Sequence, residues 1–205
     1  MVSLFYLAIA ISSLLAFASE AAIHNARGLP EGYTEVPMKW TLPIEAGGDN
    51  MTFSGNQQEV EAQIKAIKPD FAWRTPPSDI YALLSNKAQN SDYGPFFCDI
   101  GGDGRAPQPD VMAALLSLWG QPQCSYPPGP RTCSNVVCSH GMGIWLCNDG
   151  PSSLDDAGCH LTANTAHAVV DHCTDALDTV QGQAFNDLGP QLGMINALVG
   201  AANSC

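Results

Sequence analysis

The chain has 205 residues and carries eight Lys and Arg against twenty Asp and Glu, a formal net charge of −12. Binding to nucleic acid and adsorption to anionic lipid both rest on clustered Lys and Arg, so this balance argues against either partner. All eight basic residues lie between Arg27 and Arg131, which leaves the seven aspartates of residues 132–205 without a Lys or Arg in their own segment.

The opening run, MVSLFYLAIAISSLLAFASEAA, is apolar and ends on the small-x-small pattern Ala16-Phe17-Ala18. It reads as a signal peptide over residues 1–22, with cleavage after Ala18 or Ala22. A membrane anchor is the weaker reading, because Glu20 and His24 cut the run short of a bilayer span, and no later segment invites membrane insertion. The expectation is a secreted, extracellular, monomeric protein.

Eight cysteines, Cys98, Cys124, Cys133, Cys138, Cys147, Cys159, Cys173 and Cys205, all lie in the second half. An even number on a secretory route points to disulfides. Zinc would favour paired Cys-x2-Cys ligands, which are missing, and no cofactor is expected.

Residues 23–93 read as an N-terminal extension, partly helical and less ordered. Its Pro- and Gly-rich start leaves room for one strand around Thr34 to Leu42, and Asn50-Met51-Thr52 is an N-glycosylation sequon. Val60, Ile64 and Ile67 recur at helical spacing before Pro69. A second short helix is expected after RTPPSD, burying Ile80, Leu83 and Leu84, with residues 85–97 as connector.

Residues 94–205 read as a cysteine-rich α+β domain. CDIGGDGRAPQPD places Asp99, Asp103, Gly104 and Asp110 in the spacing of a calcium loop, but Gly101 stands where a ligand belongs and the last position is Asp rather than Glu. A plain turn is the better reading. Pro109 and Asp110 then open a helix with Val111, Leu115, Leu118 and Trp119 on one side, stopped by Gly120 and Pro122.

In CSNVVCSHGMGIWLCND, strand formers on either side of His140-Gly141 predict a hairpin. A two-residue turn sets Ser139 against Met142, Cys138 against Gly143, Val137 against Ile144 and Val136 against Trp145. That register keeps Cys138 from Cys147, so the hairpin is expected to be braced from outside, by Cys147 with Cys159 and Cys138 with Cys173. Trp145 is expected to pack beside Val136.

A long helix is expected from about Leu154, capped by Ser152 or Ser153, with Asp155 and Asp156 in its first turn and Gly158 able to delay it. Its apolar face is Ala166, Val169, Val170, Cys173, Leu177 and Val180. His160, Asn164, His167 and Asp171 share another face. That face suits a metal or acid–base pair and a pH-dependent helix, but a solvated surface is the plainer reading. A closing strand is expected over Met194 to Val199.

Catalytic signatures are thin. No Gly-x-Ser-x-Gly elbow occurs, Ser139-His140 is a turn pair without a third partner, and Asp171, Asp175 and Asp178 read as solvated rather than as a glycosidase pair.

The segment GQPQCSYPPGPRTCSNVVCSHGMGIWLCNDG, a helix with two cysteines, GQAF and a terminal Cys resemble small secreted, cysteine-rich fungal effector-like proteins. Their pattern is GPG-C-x-x-V-S-C-S, then I-x-x-C-N-D-N, then GGQ-x-F. The layout is similar to Ecp2-type necrosis-inducing effectors and to killer-toxin-like α/β sandwiches, and it spans Cys98 to Cys205. The chain departs at Val180-Gln181-Gly182-Gln183 and at GPQLGMINALVGA, where a Trp-Asn-Val-Ile type strand is expected. The resemblance implies a virulence-related effector or toxin-like protein that binds a host or competitor protein or glycan without catalysis. It implies no catalytic or metal residues. A secreted hydrolase and a structural cell-wall or surface protein are the alternatives. The expected architecture is α+β: a small antiparallel sheet covered by two helices, disulfide-stabilised, with a helical N-terminal extension.

Overall fold

The computed structural model describes residues 28–76, 79–80, 94–121, 123–152, 158–203 and 205. The signal-like residues 1–22, Leu83 and Leu84 of the second expected helix, and Ser153, Leu154, Asp155 and Asp156 lie outside them. The fold is α+β, with three helices and three sheets among the described residues.

The main sheet has six strands: β1 (Thr34–Glu35), β6 (Thr132–Ser139), β7 (Met142–Asn148), β10 (Met194–Ala201), β9 (Gly182–Asp187) and β4 (Phe96–Cys98), in that spatial order. It is larger than the small antiparallel sheet expected, and it is mixed, because β1 joins β6 in parallel while every other pair is antiparallel. Two further antiparallel pairs are β2 (Lys39–Pro43) with β3 (Asn50–Ser54), and β5 (Ala106–Pro107) with β8 (Thr179–Val180).

Helix α1 (Gln57–Ile67) starts in a capping box: Asn56 Oδ1 accepts the Glu59 N–H, and the Asn56 N–H donates to Glu59 Oε2. Each satisfies a donor that a helix start leaves open. Val60 and Ile64 are fully buried, whereas Ile67, expected on the same face, is 55% exposed at the last turn. Helix α2 (Gln108–Trp119) follows its Pro-led start and ends at Gly120. Helix α3 (Cys159–Cys173) begins after Gly158 and stops at Thr174. Leu177, placed on its apolar face from sequence, therefore falls beyond it and is 82% exposed, while Val180 enters β8.

One core unites these elements. Met38, Trp40, Leu42, Phe53, Val60 and Ile64 from the first third of the chain pack in the same cluster as Leu115, Val136, Ile144, Val169 and Ile195. The opposite side of the sheet holds a smaller cluster of Cys133, Trp145, Cys147, Leu198 and Ala202, covered by Leu29 and Tyr33.

The hairpin turns at His140-Gly141, both at positive φ (51° and 72°), the requirement of a type I′ turn. Ser139–Met142, Cys138–Gly143 and Val137–Ile144 pair as expected. Beyond them the ladder slips at a bulge between Asn135 and Val137, so Trp145 faces Asn135 rather than Val136. The extra residue lets Val136 and Val137 both enter the main core, while Trp145, alternating with Ile144 and Leu146 along β7, faces the other side, where its ring lies over Gly143. A Cβ on Gly143 would fall 2.4 Å from that ring.

All eight cysteines are paired: Cys98–Cys173, Cys124–Cys159, Cys133–Cys147 and Cys138–Cys205. This replaces the expected Cys147–Cys159 and Cys138–Cys173 bridges. The bulge accounts for Cys147, since it moves Cys133 directly opposite it and lets the hairpin brace itself; Cys138 keeps its expected place opposite Gly143 and is met by Cys205 rather than Cys173. Cys98 and Cys124 then hold the two ends of α3, and Cys138 secures the C-terminus.

Candidate binding cleft

The residues singled out for chemistry are dispersed. Asn50 is exposed at the first position of β3, opposite Pro43, where its amide is reachable from solvent. Asp99 pairs with Arg105, Asp103 accepts the Asn203 N–H at 2.9 Å, and Asp110 sits in the first turn of α2. The calcium-like spacing thus serves a turn. Ser139 ends β6 opposite Met142, and His140 opens the hairpin turn.

The α3 face expected to be a solvated surface is split: His160 and Asp171 are exposed, whereas Asn164 and His167 are buried. Asn164 is 7% and His167 4% exposed, and Asn164 Oδ1 accepts the Trp119 indole N–H at 3.3 Å. His160 meets the Trp119 ring edge-on with centroids 6.4 Å apart. His167 Nδ1 lies 3.2 Å from Asp171 Oδ2 without hydrogen-bond alignment. Among the described residues no three His, Cys, Asp or Glu side chains gather as a metal would need.

Asp175 leaves the helix to organise the turn after it. Its carboxylate accepts the backbone N–H groups of Thr179 and Leu177 and the Thr179 hydroxyl, and Arg105 Nε lies 2.9 Å away. Those bonds, led by Thr179, hold the carboxyl below the usual range. On the far side of the sheet, Asp149 Oδ2 accepts from the Tyr33 hydroxyl at 3.0 Å and from Asn196 Nδ2 at 2.7 Å. Burial, and then this bond to Asp149, push the Tyr33 phenol up to about 12. The network is internally satisfied and ties the N-terminal segment to β7 and β10.

A cleft of about 400 Å³ lies elsewhere, between the β2–β3 turn and the irregular segment that follows α1. Leu42 to Ala46 form one wall, Lys68 and Asp70 to Arg74 the other, and Gln121 reaches it from the end of α2. Trp73 is its best-fixed side chain. The indole N–H donates to Glu61 Oε2 at 3.1 Å, the ring tilts against buried Trp40 at 5.6 Å, and Phe71 meets it edge-on at 5.1 Å. Such a ring is preset before any ligand arrives.

The backbone sets this wall. Phe71 and Trp73 are partly buried, while Asp70, Ala72 and Arg74 are exposed, the alternation of an extended strip resting one side on the core. Gly120 makes the close approach possible, because a Cβ there would lie 2.8 Å from the Arg74 carbonyl oxygen. Lys68, Arg74, Glu45 and Asp70 make no ion pair among the described residues. Among the described residues the cleft thus presents two cations and two carboxylates without ion-pair partners around a fixed aromatic ring.

None of these cleft residues was marked as functional in the sequence, where Pro69 reads only as a helix stop. The available signal was Phe71-x-Trp73 with charges at Lys68, Asp70 and Arg74, a period-two pattern too short to separate from a linker. No family model, curated protein or solved structure matches the chain.

Proposed function

We propose that the protein is secreted and acts as an effector or toxin-like protein by binding a host or competitor component, without catalysis. The observation that carries this reading is the cleft, in which Trp73 is held in place while Lys68, Asp70, Arg74 and Glu45 remain open to a partner. Four disulfides in one small fold suit an oxidising extracellular setting. Removal of residues 1–22, a glycan on exposed Asn50, a monomeric state and kinship with Ecp2-type effectors belong to the same proposal. No helix among the described residues is long and apolar enough to cross a membrane.

The hydrolase alternative draws on Glu45 and Asp70, which line one cleft. Both are exposed, whereas a carboxyl acting as general acid in glycoside hydrolysis is kept in an apolar pocket. The test is to purify the oxidised secreted protein, verify its processing and Asn50 glycan by mass spectrometry, and apply it to host tissue and competitor cells. Necrosis or growth arrest without turnover of polymer substrates is the expected result. Inactivity in both assays, or turnover that depends on Glu45 and Asp70, overturns the reading.

A further inference from the structure

We infer that the cleft takes a neutral, hydroxyl-rich ligand, a short oligosaccharide. This rests on the cleft being the binding surface, as proposed above. The argument starts from Trp73, whose ring is fixed by Glu61, Trp40 and Phe71 and forms part of the wall. A flat, preset aromatic face suits the apolar C–H face of a sugar ring and loses little side-chain freedom on contact.

The flanking charges give the second half of the argument. Lys68 and Arg74 are donors only, Glu45 and Asp70 are acceptors, and hydroxyl groups satisfy both kinds with charge-assisted hydrogen bonds. Their formal charges cancel, so the cleft has no local excess to select a charged ligand. An anionic polymer also meets the repulsion of a chain at −12. The volume, about 400 Å³, lies near the lower end of ligand cavities, roughly 300–1,000 Å³, which fits a short oligosaccharide segment rather than a folded partner.

Titration calorimetry and tryptophan fluorescence of the oxidised full chain test this, with neutral β-linked oligosaccharides of glucose and of N-acetylglucosamine as probes. Oligogalacturonate and a lysine-rich peptide are the charged comparators. At least one neutral probe is expected to bind, with affinity lowered about tenfold or more by Trp73→Ala. Because Trp73 packs on Trp40, the exposed pair Asp70→Ala/Arg74→Ala is the second variant, expected to keep the wild-type disulfide map and lose about threefold or more. Binding of a charged comparator alone, no binding of any probe, or neutral-sugar binding untouched by both variants overturns the inference. Loss of host or competitor activity in Asp70→Ala/Arg74→Ala, with no sugar bound by the wild type, overturns the ligand class and leaves the cleft reading standing. No effect of either variant on either readout removes both.

Discussion

Cys133 stands opposite Cys147 across the β6–β7 ladder, with Cα atoms 4.0 Å apart and both residues fully buried. Cys205, joined to Cys138 at the C-terminus, is exposed. Thiol exchange requires access to sulfur. Mild reduction followed by alkylation is therefore expected to label Cys138 and Cys205 first, with Cys133–Cys147 and Cys124–Cys159 protected until the chain unfolds. Peptide mapping that finds Cys133 and Cys147 labelled first contradicts the bulged register.

Arg105 supplies a cation to residues 132–205, which have no Lys or Arg of their own. Its guanidinium donates to the Cys173 carbonyl oxygen at the end of α3 (2.6 Å), to the Thr179 carbonyl (2.9 Å) and hydroxyl (3.0 Å), and to Asp99. The Cys173 bond meets a helix end where positive charge is favoured. Arg105→Ala is expected to lower unfolding free energy by about 2–4 kcal/mol in denaturant titration, with Arg105→Lys restoring only part, because an ammonium cannot reproduce the fork. A loss within the error of wild type contradicts this role.

Asp175 gives a pH-dependent contribution of known sign. Its folded carboxyl is held low, chiefly by Thr179, so the native state favours the ionised form. The stabilisation is present above the ordinary carboxylate range and is lost as pH falls through the depressed folded value. Asp175→Asn is expected to be less stable than wild type at neutral pH, with the gap closing in strong acid. A gap that stays constant or widens on acidification contradicts the assignment; denaturant unfolding at a series of pH values measures it.

Much of the fold was legible because it depends on local pattern. The helical spacing of Val60 and Ile64, the Pro-led start before Val111, the positive-φ turn at His140-Gly141 and the strand around Met194 to Val199 each follow from a few neighbouring residues. The bulge beside Val136 is not local in this sense. It arises because Val136 and Val137 both gain burial, and one extra residue then changes the partner of every position from Asn135 back to Thr132. The Cys147 pairing was misread for that reason, while the Cys138 bridge depends on where the distant C-terminal Cys205 returns to the sheet. The place of Met38, Trp40 and Leu42 in the main core was equally hidden, since β1 reaches β6 through contacts nearly a hundred residues apart in sequence. The cleft depends on the same long-range packing, with Trp73 fixed by Trp40 and the strip around Arg74 resting on Gly120.

That last contact is open to a small substitution. Gly120→Ala places a methyl group 2.8 Å from the Arg74 carbonyl oxygen, which belongs to the backbone and has to shift. The expected cost is about 1–3 kcal/mol, as for overpacking elsewhere, together with a changed Trp73 emission as the cleft wall moves. A variant as stable as wild type with unaltered emission contradicts the tight approach.

The most direct measurement is saturable retention of the purified, oxidised wild-type protein on intact host and competitor cells, set beside Asp70→Ala/Arg74→Ala with the same disulfide map. Wild-type protein is predicted to be retained on one cell type and the variant to wash away. Equal retention of the two proteins, or retention of neither, contradicts the claim that this is a binding protein acting through its cleft.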